Sequence, residues 1–534
     1  MTSILKLRLL LTAPLLLPSL CARLVATEAP LRPAVLPHGE EMELIFHDEF
    51  DGNSLNTSVW RSSEYGEGFK RDTFRGPENL EVREGRLLLK VRKEEREHNG
   101  KTGTWSSGLI SSRETVENNV YIEARFKPTA ASGINNAFWL SCLSEKRTSF
   151  SNRYEVDVPE TRKMDDAENT GQARLAWHDW KTSAYTKTAK GAVDHIAQAI
   201  TIKHTWDAYH TWGLWLGEND MIYYLDGKEV WQGKTHPKYE QQWRTGVGKF
   251  DHWYRDEERR AYGNFGQQDW IYGGGYTGDR MNIVLSTLPW AATGSALTEA
   301  ADGTAMEVDY VRVWKPKRLL SREASLAVNL AKPNAAAVLA GSTRVHESGA
   351  LLMRASASAT LALPQERSAN PYYFSLVVKK LGASALRLQF EDEAGKALFH
   401  AGVESNNVLL ADFSSPARTD SSYPAQESKQ PLFTDGKEYL LVVRLTPGEK
   451  FTAISLSAFS LPLSSEKEPY FYRNIDLQGN TSVNNEWMVN QKNQRVGNPS
   501  RIVIKNEGEG DLLAGAFRAG PSYLSVLPSQ QISK

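Results

Sequence analysis

The sequence predicts an all-β protein, with a large β-sandwich over residues 40–317 and a second β-sandwich-like region over 318–534. Three observations predict it. Short segments alternate apolar and polar residues, the period of a strand with one buried face. Pairs such as Asp226-Gly227 separate them, and this pair suits the tight hairpin turn that needs positive φ at both central positions. Composition then breaks after Trp314, since 14 of the 15 tryptophans fall between Trp60 and Trp314 and only Trp487 follows.

At the N-terminus, Lys6 and Arg8 precede a 12-residue apolar run from Leu9 to Leu20, and the small residues Cys21, Ala22 and Ala26 follow. That order is the one a secretory signal peptide needs, so residues 1–26 are expected to be a leader and the protein to be secreted or periplasmic. The run contains Pro14 and Pro18 and falls short of the roughly 20 residues that span a bilayer, so no membrane span is expected. Loss of Cys21 would leave Cys142 as the only thiol, which excludes a disulfide scaffold and a cysteine-ligated zinc site. With 63 basic and 64 acidic side chains, the chain has no electrostatic footprint for nucleic acid. A monomer is expected.

The first sandwich reads as strands in order. Leu80 to Arg83 and Arg86 to Val91 flank the turn Glu84-Gly85, Val120 to Phe126 alternates, Met221 to Leu225 ends at Asp226-Gly227, and Met306 to Trp314 alternates over nine residues. Lys315-Pro316-Lys317-Arg318 then marks a boundary. Beyond it, Tyr372 to Val378 and Tyr439 to Leu445 alternate again. The stretch after residue 467 reads as an extension of the second region or as a unit of its own.

The segment carrying the most chemistry is Arg153-Tyr154-Glu155-Val156-Asp157-Val158-Pro159-Glu160-Thr161. Residues two apart share a strand face, so Glu155 and Asp157 point one way while Val156 and Val158 point the other. Glu160 stands at an odd offset from Glu155 and would face away in a regular strand. A β-bulge restores it to the acid face, and Pro159, which cannot donate to the ladder, sits where such an irregularity is tolerated. A solvated polar strand face has the same local pattern. Three clustered acids also suit glycoside hydrolysis, in which one carboxylate attacks the anomeric carbon and another protonates the leaving oxygen.

Residues from about Glu43 to Pro316 resemble glycoside hydrolase family 16, whose members share a concanavalin-like β-jelly roll. Glu155-Val156-Asp157-Val158-Pro159-Glu160 is similar to the bulged active-site motif of its laminarinases, agarases, porphyranases and kappa-carrageenases. Phe46-His47-Asp48-Glu49-Phe50-Asp51-Gly52, Trp105-Ser106-Ser107-Gly108-Leu109-Ile110, Asn136-Ala137-Phe138-Trp139-Leu140 and Val308-Asp309-Tyr310-Val311-Arg312-Val313 resemble further family segments in the family's order. The resemblance implies Glu155 as nucleophile, Glu160 as general acid/base and Asp157 as the assisting acid. It also implies a retaining, endo-acting hydrolase of a polysaccharide, either a marine galactan of the agar, porphyran or carrageenan type or a β-1,3-glucan. A transglycosylase on the same scaffold and a non-catalytic carbohydrate-binding protein are the rival readings.

Sugar rings present apolar faces that tryptophan matches. Trp139 resembles the tryptophan beneath the family's cleft, Trp177, His178 and Trp180 fall where the neighbouring strand is expected, and Trp270 and Trp290 belong to its rim. Arg162 is a candidate contact to an anionic sugar, with a surface ion pair as the plainer alternative. Trp60, Trp212, Trp215 and Trp314 lie in apolar strand patterns and are expected in the core. The charged and aromatic segment from Lys228 to Arg280 is expected to shape substrate choice. No cofactor is expected for catalysis, and the resemblance implies a structural calcium to which Glu49 and Asp309 could contribute oxygens.

Overall fold

The computed structural model describes residues 31–62, 68–70, 72–141, 154–165, 169–179, 187–188, 191–192, 196–217, 220–233, 281–290, 296–332, 337–364, 372–413, 426–427, 433–447, 452–463, 481–484 and 499–528. The leader expected at 1–26, Cys142, Trp180, Trp270 and most of the 228–280 segment lie outside the described residues.

Strands from Met42 to Pro316 make two large antiparallel-dominated sheets and a two-stranded ribbon of Lys187–Thr188 and Gly191–Ala192. One has seven strands, ordered Ile196–Thr205, Thr170–Asp179, Tyr154–Lys163, Ile134–Ser141, Met281–Pro289, Leu109–Val116 and Trp60–Arg61. The other has eleven, with Val120–Lys127 flanked by His210–Leu216 and Ala305–Pro316 near its middle. Alternation explains how they meet. Ile122, Ala124 and Phe126 of the eleven-stranded sheet are fully buried against Phe138, Leu140, Val156, Val158, Leu175, Ile283 and Leu285 of the other. Each of the larger side chains contributes about 1.5 to 3 kcal/mol on leaving water, and together they pack the seven-stranded sheet against the other.

The turns obey the expected chemistry. Glu84 and Gly85 have φ of 52° and 66°, and Asp226 and Gly227 have 50° and 74°, the left-handed pair of a tight hairpin. Trp60, Trp212, Trp215 and Trp314 are at most 3% exposed, as their apolar context predicts. The outer face of the eleven-stranded sheet carries a second apolar cluster, in which Tyr121, Trp215, Ile222, Tyr224 and Trp314 are covered by Val35, Met42 and Leu44.

Strands from Leu326 to Gly520 make another pair of sheets, with eight and seven strands. Phe374, Phe390 and Phe399 stack through their shared core, with ring centroids 5.0 Å and 4.2 Å apart. Arg501–Asn506 pairs with both Ser358–Ala362 and Leu386–Glu391, while Asp511–Gly520 pairs with both Leu351–Met353 and Tyr372–Leu381. The described strands at 501–520 therefore lie inside both of these sheets. Among the described residues, no helix is long and apolar enough to cross a membrane.

Candidate active site

The strand Tyr154–Lys163 is third in the seven-stranded sheet, between Ile134–Ser141 and Thr170–Asp179. Its register holds through Asp157, slips, and resumes at Glu160 on both sides. Asp157 pairs with Trp139 and Ala176, and Glu160 with Ala137 and Arg174, so Val158 and Pro159 together face one residue on each neighbour. This is the bulge that the odd spacing requires, and Pro159 occupies it without losing a ladder donor. Val156 and Val158 stay fully buried in the core. Glu155, Asp157 and Glu160 consequently occupy three successive cross-strand rows on the face turned away from that core.

Each row has its own surroundings. Glu155 pairs with Ser141 and His178. In the middle row, Trp139 packs half-buried against Leu109 and Val284, and its Nε1 donates to Ser286 Oγ at 3.2 Å. Asp157 beside it is 4% exposed. Burial, and then the negative charge of Glu160, push its carboxyl well above the ordinary aspartate range, against a smaller pull from Arg174. In the third row Glu160 accepts a hydrogen bond from Asn135 Nδ2 at 2.8 Å and lies 3.8 Å from Arg174 Nη1.

Arg162 continues this face. Its guanidinium lies over the Trp290 ring at 5.9 Å, and its Nε is buried with no hydrogen-bond partner among the described residues. Among the described residues, this cation–π contact is the interaction its guanidinium makes. Trp290 follows directly on Met281–Pro289 and is half-buried. Trp177 pairs in register with Val156, and His178 with Glu155. Trp180 and Trp270 lie outside the described residues.

Asn135 and Arg174 escape a reading of the acid segment alone. Strand parity could have found Asn135, which is four residues from Trp139 and so on the same face. Arg174 has no such local signal, because its place opposite Glu160 depends on pairing between separate strands.

Glu49 and Asp309 do not fit the calcium site that the resemblance implies. Arg312 grips both Glu49 oxygens, at 2.9 Å and 2.7 Å, while stacking 3.7 Å from the Tyr310 ring centre. Arg125 pairs with Asp309 and lies over Tyr209 at 4.8 Å. A calcium ion would have to share oxygens already engaged by guanidinium groups. No group of three or more His, Cys, Asp or Glu side chains among the described residues could hold a metal. Arg312→Met is expected to lower the melting temperature by removing the grip on Glu49, and thermal melts of the two chains check this.

A β-sandwich with a row of acids across one sheet is an arrangement that can serve glycoside hydrolysis. Residues 43–247 match the family model described as the GH16 domain of β-porphyranases A–D. That segment is similar to glycoside hydrolase family 16. Among solved structures it is similar to porphyranase B from Zobellia galactanivorans, at 18% identity over 54% of this chain and 97% of that one, with a TM-score of 0.38. A β-agarase A in complex with oligoagarose matches at 18% identity over 53% and 96% of the two chains, with a TM-score of 0.37. An endo-β-1,3-glucanase from Pyrococcus furiosus matches at 19% identity over 52% and 95%, with a TM-score of 0.36. None of the curated protein sequences compared with the chain matches it.

Proposed function

We propose that the chain is a secreted, endo-acting, retaining hydrolase of a sulfated galactan of the porphyran type. The observation that carries the catalytic part is the bulge that brings Glu155, Asp157 and Glu160 onto one face. In this reading Glu155 attacks the anomeric carbon while Glu160 gives its proton to the departing glycosidic oxygen. Glu160 then takes a proton from the water that releases the glycosyl-enzyme, with net retention. Asp157, whose carboxyl holds its proton to higher pH than usual, sits between them and shares that proton with the nucleophile. Trp139, on the floor of the same row, offers a flat surface to a sugar ring.

Two features support an anionic galactan over a neutral glucan. The matching family model is one of porphyranase domains. Arg162 also stands two residues beyond Glu160 on the acid face, held over Trp290, with its charge uncommitted to any described carboxylate. The apolar run at Leu9–Leu20 supports export.

A reducing-sugar screen of the purified protein against porphyran, agarose, carrageenans, laminarin and lichenan tests the proposal. Porphyran is expected to yield oligosaccharides that retain the β configuration by NMR at early times. Release from laminarin alone would overturn the substrate assignment, and inverted product would overturn the mechanism.

A further inference from the structure

Taking Glu160 as the acid/base, the geometry points to Asn135 as a positioning residue that decides which Glu160 oxygen carries the catalytic proton. Asn135 is 7% exposed and belongs to Ile134–Ser141, a strand continuously paired with Met281–Pro289 from Ile134 to Ser141, so its backbone is fixed. Its Nδ2 donates to Glu160 Oε1 at 2.8 Å. The other oxygen, Oε2, lies 3.8 Å from Nη1 of Arg174, a residue whose side chain is 39% exposed. The two carboxylate oxygens are thus made unlike. Oε1 is turned inward as an acceptor of an amide N–H, and it cannot also carry a proton on that side without placing two hydrogens against each other. The proton therefore resides on Oε2, on the more open side. From there it passes to the glycosidic oxygen as the bond from that oxygen to the anomeric carbon breaks, and the bonding electron pair stays with the departing sugar.

Asn135 itself has a buried Oδ1 without a hydrogen-bond partner among the described residues. Leaving a buried acceptor unsatisfied costs about 1 to 3 kcal/mol, so the side chain is not placed there for stability.

Asn135→Ala and the isosteric Asn135→Asp, both checked for native circular dichroism, test this on two substrates. One is the polysaccharide. The other is a dinitrophenyl oligosaccharide, whose phenolate leaves without a proton. Removing the donor is expected to lower kcat on the polysaccharide roughly 10- to 100-fold with KM little changed. Formation of the glycosyl-enzyme from the dinitrophenyl substrate should be nearly unaffected. The same contrast between the two substrates is expected for Asn135→Asp, which replaces the amide donor with a carboxylate of the same shape. Equal losses on both substrates would overturn the inference, as would no loss at all. Glu160→Ala is the control that keeps the two claims apart. If it also shows no preference for the dinitrophenyl substrate, the acid/base assignment of Glu160 fails.

Discussion

Glu155→Gln is expected to lower kcat on the polysaccharide by roughly 10³-fold or more while leaving the fold intact. The change keeps the shape of the side chain and removes the charge that attacks the anomeric carbon in the proposed mechanism. Glu155 is partly exposed on the face away from the core, and its neighbours Val156 and Val158 carry the packing of the strand. Melting temperature should therefore move little. A second arm separates nucleophile from acid/base. Glu160→Ala should retain far more activity on an aryl glycoside with a good leaving group than on the polysaccharide, and azide should restore turnover as a glycosyl azide of retained configuration. Glu155→Gln should show neither behaviour. Undiminished polysaccharide cleavage by Glu155→Gln would remove Glu155 from the mechanism.

Much of that site is local and so legible in the sequence. The two-residue period put Glu155 and Asp157 opposite Val156 and Val158, and the odd offset to Glu160, with a proline beside it, required the bulge between Asp157 and Glu160. Turn chemistry was local too, since Asp-Gly and Glu-Gly pairs accept the positive φ that a tight hairpin imposes. What stayed hidden depends on register between distant segments. Nothing near Arg174 indicates that it will lie opposite Glu160, and nothing near Glu49 or Asp309 that an arginine from another strand or position will hold it.

Glu123 shows the same limit from the stability side. Alternation reads it as the solvent face of Val120–Lys127, yet it is fully buried. It accepts hydrogen bonds from the backbone N–H of Ala34 at 3.0 Å and from the Tyr121 hydroxyl at 2.9 Å. The segment before Met42 covers that face, and a two-residue period cannot foresee a covering segment. Burial pushes the Glu123 carboxyl up, opposed by those donors. A buried acid thus occurs outside the cleft, so burial alone does not mark a catalytic carboxylate. What distinguishes the cleft acids is the row of three on one open face.

Asp157→Asn follows from that row and should separate stability from activity. In the native chain, burial first and the Glu160 charge second hold the Asp157 proton well above the ordinary aspartate range. An unfolded aspartate loses it near pH 3.9, a value of about the model-peptide average. Between those two points the folded chain binds more protons than the unfolded one, so its stability is fully present at low pH and is lost as pH rises through the folded value. Asparagine has no charge to bury, so the variant should not suffer this loss. Its melting temperature should equal or exceed that of the native chain at neutral and mildly alkaline pH, and the gap should close on acidification. Activity should move the other way. An amide cannot accept and return a proton beside the nucleophile, and the loss of such a group typically costs roughly 10²-fold in kcat. Melts and kcat measured across the same pH series check both halves. A variant less stable than the native chain even at alkaline pH would show that the charge of Asp157 is compensated in the fold, and the assignment of a shared proton would fall with it.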